Sequence, residues 1–410
     1  MKRYLAILAL SVWVVVGVTV RIVAAGSTAV AAEPVKTVKV DCIRGETIAK
    51  ALTLGDERKA LIVVIRGTCN ESVTIERSDV TLRGEPGFGS AINGPDSATD
   101  TVAVRANRVT VENLEITGGQ TGIIGIAAGG LLVRGVTVHS TGRNGITYQS
   151  GSSGIIDGCT VQSNVRDGVV IESSSATITN CNISQNRNGV VVITGGAARI
   201  GVDNLNIPAG NTISQNVQAG VAIIFGGQTI MAMNQITGNG TSGVLLSEGT
   251  ANIAGLNNIS GNVGQGITAT QASVQIGSPV FGFSTVNRIE SKGNAASPGG
   301  VFGFVGTAMV IRDAVISGNH GFGLILSLRS QAQVSSSTIQ NNVSAGQLPG
   351  DGIRLVMGSG LFVTTPNSTV SGNAGWGLQC TDGESSVINT NLLGLSGNSA
   401  GDLSPSCSAF

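Results

Sequence analysis

One stretch constrains the fold of this chain more than any other, the run from Gly168 to Asn188, GVVIESSSATITNCNISQNRN. A glycine is followed by three β-branched residues, a serine-rich break and a short alternating run, Ala176-Thr177-Ile178. It closes on Ile183 and Asn186. The phrase restarts at Gly189 with VVVITGGAARI and has a forerunner at Gly145. A unit that returns every 21 to 34 residues or so, with strand chemistry and no helical period, has the pattern of a β-solenoid.

Glycines open successive units at Gly122, Gly145, Gly168, Gly189, Gly220, Gly243, Gly266, Gly300, Gly323, Gly352 and Gly377. An asparagine recurs near each unit's end, at Asn164, Asn186, Asn216, Asn239, Asn262, Asn294, Asn319, Asn342, Asn373 and Asn398. Stacked coils would place these amides about 4.8 Å apart, each bonding to the next as in a cross-β ladder. A coil of about 22 residues holds three short strands, each hydrogen-bonded to the coils before and after it, so the strands run parallel. About twelve to thirteen coils would give a rod roughly 60 Å long. The fold class expected is therefore all-β, a single-domain parallel β-helix.

Composition agrees: 60 glycines in 410 residues and only 12% charged residues suit short buried strands joined by tight turns. The abundant, evenly spread β-branched residues do not suit a disordered chain.

Residues 1–31 read as a secretory leader. Lys2 and Arg3 precede an apolar run from Tyr4 to Val20, and Ala29-Val30-Ala31 forms the cleavage signal. Arg21 interrupts the run, which is short for a membrane span, and no later segment is apolar enough to cross a membrane. The expected location is secreted or periplasmic. Losing Lys2, Arg3 and Arg21 turns the even balance of 24 basic and 24 acidic residues slightly acidic, which gives no reason to expect a nucleic acid or an anionic membrane as partner.

Residues 32–84 read as a cap and first coils, 85–402 as the repeats, and 403–410 as a tail closing the last coil. In GETIAKALTLG, Ile48, Ala51 and Leu52 fall on one face of a short helix between Gly45 and Gly55. A solenoid needs such a cap, because its first coil otherwise exposes an apolar end and unpaired backbone groups. Six cysteines in an exported chain imply disulfides. Cys42 and Cys69 flank the capping helix, and Cys380 and Cys407 would tie down the chain's end. Cys159 and Cys181 hold the same place in adjacent coils, and are either bridged or two stacked thiols.

The phrase GVVIESSSATITNCNISQN resembles the right-handed parallel β-helix repeat of pectin-degrading enzymes (the pectin-lyase-like fold) and of many secreted bacterial proteins. Ala198-Arg-Ile-Gly…Gly210-Asn-Thr-Ile-Ser-Gln-Asn216 is similar to a longer variant of the unit. The resemblance covers roughly residues 70–402 and implies the fold, which hosts lyases, hydrolases, epimerases and adhesins alike. Of the motifs of its polygalacturonases, only His320-Gly321 occurs. The calcium-binding aspartates of its pectate lyases are missing, so it implies no catalytic role.

One charged column stands out. Arg143, Arg166 and Arg187 each lie two residues before a coil-opening glycine, and stacked guanidinium groups repel unless anions neutralise them. Asp157, Asp167, Glu172, His139 and Tyr148 are carried by the same coils. These residues are the candidates for a site on coils 139–187 that grips or processes an acidic glycan, with arginines forked onto carboxylates. A hydrolase would need two carboxylates facing each other across a cleft, which Asp157 and Asp167 supply only if their turns converge. Aromatic rings for sugars to rest on are scarce. The longer units at 189–219 and 266–299 carry extra residues expected to project from one side of the rod, among them Pro279-Val280-Phe281 and Phe283. With no CxxC and two distant histidines, no metal or other cofactor is expected. The reading is an exported, non-catalytic binding or envelope scaffold whose partner is a polysaccharide or another envelope component. The alternative is a polysaccharide lyase or glycoside hydrolase.

Overall fold

A computed structural model describes residues 35–54, 56, 58–277, 286–290 and 299–409. Residues 1–31, expected as a leader, and Gly55, Asn294 and the run Pro279–Phe283 lie outside the described residues. Described strands form three parallel sheets. Sheet 1 has sixteen strands, from Lys36–Asp41 to Ser408–Ala409. Sheet 2 has fourteen, from Thr68–Asn70 to Leu393–Ser396, and sheet 3 has fourteen, from Val73–Ile75 to Gly401–Leu403. Each coil visits sheet 3, then sheet 1, then sheet 2, and within each sheet every strand pairs with those one coil away. The chain is thus a right-handed parallel β-helix.

The opening stretch supplies one coil: Val169–Glu172 in sheet 3, Ser175–Thr179 in sheet 1 and Asn182–Ser184 in sheet 2. Alternate residues point inward, so Val169, Ile171, Ile178 and Ile183 are fully buried. Register stacks like on like: Val169 faces Val190, and Ile171 faces Val192. Burying each such side chain stabilises the rod by about 1.5–3 kcal/mol, and the column runs without a break into one continuous core.

Gly168 shows why glycine must open a coil. A Cβ there would lie 2.7 Å from the Gly189 carbonyl oxygen and 2.7 Å from Ile183 Cγ2. Beside it runs the asparagine ladder, with Asn164 Nδ2 donating to Asn186 Oδ1 at 2.9 Å and Asn216 Nδ2 to Asn239 Oδ1 at 3.0 Å. After a gap at the undescribed Asn294, the ladder resumes at Asn319 and ends where Asn398 Nδ2 donates to Asp402 Oδ1. At each corner of the cross-section a residue takes the left-handed conformation. Ser140, Ser163 and Gln185 do so between sheets 2 and 3, and Ser150, Ser173, Thr194 and Phe225 between sheets 3 and 1.

Sixteen strands in sheet 1 make the rod longer than twelve to thirteen coils, about 70 Å at 4.8 Å per step. The surplus lies at both ends. Lys36–Asp41, Leu61–Arg66 and Val80–Gly84 already stack as sheet 1, and the tail adds Gly401–Leu403 and Ser408–Ala409. At the first coil sits helix α1 (Ile48–Leu52), which buries Ile48 and Ala51. Glu71 accepts from the Ile48 and Ala49 amides at 2.7 and 3.1 Å, satisfying two of the helix's first donors. A disulfide joins Cys42 to Cys69, and a second joins Cys380 to Cys407.

Cys159 and Cys181 are free, buried thiols. They stand in a second buried ladder continued by Asn211, Asn234, Asn257 and Asn287, each Nδ2 donating to the next Oδ1 at 2.9–3.0 Å. Cys181 Sγ accepts the Cys159 amide at 3.4 Å, the task of each asparagine Oδ1 in the coils above, and turns back on the Thr179 carbonyl at 3.0 Å. The hydrogen bond with Cys159, together with burial, pushes the Cys181 thiol well above the ordinary range.

Candidate functional site

Two grooves run along the rod on different faces. The smaller, about 630 Å³, lies on the outer face of sheet 3 and takes in Arg143, Arg166, Asp167, Glu172 and Arg187. Its arginines are stacked by backbone bonds, Arg166 N–H to the Arg143 carbonyl at 2.7 Å and Arg187 N–H to the Arg166 carbonyl at 2.5 Å. Outward residues of sheet 3, namely Ile124, Thr147, Val170, Val191 and Ala222, line its floor. Glu172 is exposed at the opposite end of its strand.

Within this groove the charges are not equivalent. Asp167 is buried and accepts a forked pair of bonds from Arg187, Nε at 3.1 Å and Nη2 at 2.8 Å. It takes a third from Asn188 Nδ2 at 2.8 Å. A carboxylate held by a bidentate guanidinium and an amide is fixed in place by three charge-assisted or neutral hydrogen bonds. Arg143 and Arg166 have no acidic partner among the described residues.

The remaining sequence candidates sit elsewhere. Tyr148 is fully buried inside the rod and donates to the Leu131 carbonyl at 2.9 Å, and burial pushes its phenol well up. It shares the inward parity of Ile146, so it cannot reach a ligand. His139 lies on the outer side of sheet 2, where Nε2 meets Glu115 Oε1 at 2.9 Å. The left-handed Ser140 turns the chain away before Arg143. Asp157 ends a strand of sheet 1 as the fourth rung of a charge ladder, Arg83, Glu112, Arg134, Asp157, in which opposite charges stack coil upon coil. Its Oδ1 also accepts from Thr179 and Asn180, both at 2.9 Å. Asp157 ends a strand of sheet 1 and Asp167 lies in the turn that leads into sheet 3, so the two carboxylates sit on different sides of the coil. His320 is exposed in a corner between sheets 2 and 3, away from both grooves.

The larger groove, about 890 Å³, follows the outer face of sheet 1 across seven strands from Gly130 to Gln275, about 29 Å at 4.8 Å per step. Its lining is largely apolar, with Leu132, Ile155 and Ile230, and sets Ser153, Ser175, Thr177, Gln228, Asn252 and Gln275 among them; among the described residues it contains no carboxylate, histidine or tyrosine. The only charged side chains in it are engaged. Arg134 pairs with Asp157 at 3.6 Å, while Arg199 donates to the Asp203 carbonyl at 2.8 Å and to Asn206. The extra residues of the unit 189–219 form one wall, a loop pinned to the groove by Asn204 Oδ1, which accepts from Thr177 Oγ1 at 2.8 Å. Asn252 contributes a buried Oδ1 with no protein partner. Sequence reasoning missed this groove, although the run of Ser, Ala and Gly before each sheet 1 strand is its trace.

Among the described residues no helix is long and apolar enough to cross a membrane. A model of the right-handed β-helix region matches residues 62–207 and 282–393. No curated protein matches the chain. Among solved structures, the A-module of a mannuronan C-5 epimerase from Azotobacter vinelandii is similar at 14% identity and a TM-score of 0.51, covering 88% of this chain and 90% of its own. The catalytic unit of an α-1,3-glucanase from Streptomyces thermodiastaticus is similar at 14% identity and a TM-score of 0.46, covering 92% and 72%. These likenesses are of fold. With the family's pattern matched over well more than half of its length, and three parallel sheets to carry it, this chain belongs to the right-handed β-helix family.

Proposed function

We propose that this protein is an exported, non-catalytic glycan-binding rod whose sheet 1 groove seats an extended neutral polysaccharide. The observation that carries the reading is the groove itself: some 29 Å long, open along the rod, with amide and hydroxyl side chains set among apolar ones, so that both the C–H faces and the hydroxyls of sugars find partners. Hydroxyl groups need both donors and acceptors, and Asn252 Oδ1 is an acceptor left without a partner by the protein. A glycan, mannuronan, is also named for the similar epimerase. Two disulfides support an extracytoplasmic location.

The non-catalytic reading rests on the same lining. Glycosidic cleavage by paired carboxylates needs an acid and a second carboxylate a few ångströms apart, and the sheet 1 groove offers neither. On sheet 3 the groove holds Asp100, Asp167 and Glu172, of which Asp167 is committed to Arg187 and Asn188 and Asp100 accepts from the Thr121 amide, while Glu172 stands at the opposite end of its strand.

The test is calorimetric titration with soluble neutral glucans and mannans, alongside product analysis after long incubation. Binding is expected without turnover, and Asn252→Leu should weaken it about tenfold, the worth of one hydrogen bond to a buried acceptor. Product formation abolished by a groove substitution would convert the reading to an enzyme. The absence of binding to any neutral glycan would remove it.

A further inference from the structure

Neither groove contains the corner that follows the sheet 2 strand Thr137–His139. We propose that Ser140, His139 and Glu115 form a serine-type hydrolytic site at this corner, acting on short-chain carboxylic esters and separate from the binding role of the grooves.

A single line of hydrogen bonds joins the three side chains. His139 Nε2 faces Glu115 Oε1 at 2.9 Å, and Nδ1 faces Ser140 Oγ at 3.0 Å. Sheet 2 sets the placement. Glu115 and His139 share outward parity on neighbouring strands, with Ile116 and Val138 turned into the core. Ser140 follows at once in the left-handed corner, exposed to solvent. The carboxylate holds the proton on Nε2, which leaves the Nδ1 lone pair to accept the hydroxyl proton. A nucleophile, a base and a group that orients the base are thus in contact in that order. The next coil gives an internal comparison. Ser163 takes the equivalent left-handed place, but Gln162 stands where His139 does, and the Ser163 hydroxyl donates to Gln185 Oε1 at 3.0 Å.

In the first half-reaction Ser140 Oγ bonds to the ester carbonyl carbon as its proton passes to His139 Nδ1. The carbonyl oxygen takes up the negative charge beside the carboxamide of Gln162, which stacks on His139. As the tetrahedral centre collapses, the C–O bond to the alcohol breaks and the leaving oxygen takes the proton from Nδ1, giving an acyl-serine. Water then gives a proton to Nδ1 and attacks the same carbon; Ser140 Oγ leaves with that proton and the acid is released. Glu115 stays ionised throughout and is a positioning residue. The three side chains stand on the outer face of the rod and not in a groove. Nothing there encloses a long acyl chain, which favours a short acyl group on an alcohol that leaves readily.

The experiment incubates the full chain with 4-nitrophenyl acetate and, separately, with a fluorophosphonate, whose phosphorus a nucleophilic serine oxygen captures with loss of fluoride. Saturable hydrolysis is expected, with one phosphonate on the peptide that contains Ser140. Ser140→Ala and Ser140→Gly should each cut turnover at least about a hundredfold, and His139→Gln likewise. Glycine suits the left-handed corner, so a loss shared by both Ser140 variants is not a folding effect. Glu115→Gln should lower kcat at least about tenfold with KM unchanged, and Ser163→Ala should match the parent. Neutral-glucan binding should persist in every variant, so failure of this site and failure of the sheet 1 reading are separable. Three outcomes overturn the proposal: no hydrolysis or hydrolysis indifferent to Ser140, a phosphonate on another residue or on none, or a kcat unchanged in Glu115→Gln.

Discussion

Replacing Asn186 by alanine should be strongly destabilising, because of the groups it would strand. Asn186 Oδ1 accepts two bonds from the coil below, Asn164 N–H at 3.1 Å and Asn164 Nδ2 at 2.9 Å. Its own Nδ2 donates to the Val161 carbonyl at 3.0 Å and to Asn216 Oδ1 at 3.3 Å. Asn216 Oδ1 keeps a second donor, the Asn186 amide at 3.1 Å, so its loss is partial. The two Asn164 donors are buried and would have no replacement. At about 1–3 kcal/mol for each unsatisfied buried donor, the cost is about 2–6 kcal/mol. Asn182, four residues earlier with its side chain exposed on the same coil, is the control, and Asn182→Ala should change stability by about 0.5 kcal/mol or less. Urea unfolding followed by far-ultraviolet circular dichroism gives the global figure. Because long repeat arrays need not unfold in one step, hydrogen exchange at the Asn164 amide should be measured as well. It is expected to quicken in Asn186→Ala and to stay put in Asn182→Ala. If the two variants lie within about 1 kcal/mol of each other, the amides are not what holds the coils in register.

The two disulfides span equal separations of 27 residues, so loop-closure entropy assigns each about 3.5 kcal/mol; serine pairs at Cys42/Cys69 and at Cys380/Cys407 should lower the unfolding midpoint by similar amounts in a denaturant series. With Cys159 and Cys181 buried as thiols, an aromatic disulfide reagent should release no chromophore from the native protein and two equivalents once it is unfolded. Burial holds the Asp351 carboxyl above its usual range, against the opposing pull of the Trp376 amide and Arg354. A raised folded value means that stability from this group is full at acid pH and is lost as pH climbs through that value. Asp351→Asn should therefore lose less stability than the parent as pH rises above about 4, read from thermal melts; an identical loss would remove Asp351 as the source.

The glycine and asparagine columns made the coil legible because both are steric and hydrogen-bonding necessities repeated at every level. Gly168 has no room for a methyl group, and Asn186 has no substitute for its two-sided bonding. The second ladder was equally present in the spacing, since Asn211, Asn234 and Asn257 each precede a first-ladder asparagine by the same interval as Cys159 and Cys181 do. It went unread because cysteine stands in its first two rungs. Which face a side chain occupies was much less legible. His139 and Arg143 are neighbours in sequence but lie on either side of a corner made by Ser140, a residue with no sequence mark of a left-handed turn. Corners tolerate Thr194, Phe225 and Met357 alike, so composition does not announce them. Tyr148 was misplaced for a simpler reason. Its inward parity with Ile146 was readable in the strand, and its polar hydroxyl drew attention from it.

Because every strand touches only the coils directly above and below, length and cross-section are separate variables in this molecule. Excising Gly220–Ser242 would remove one strand from each sheet and one rung from each ladder, setting Asn216 on Asn262 and Asn211 on Asn257. The rod would shorten by about 4.8 Å with its corners unchanged. The protein is in this sense a ruler graduated in coils, and lineages can alter its reach by whole divisions without redrawing the scale.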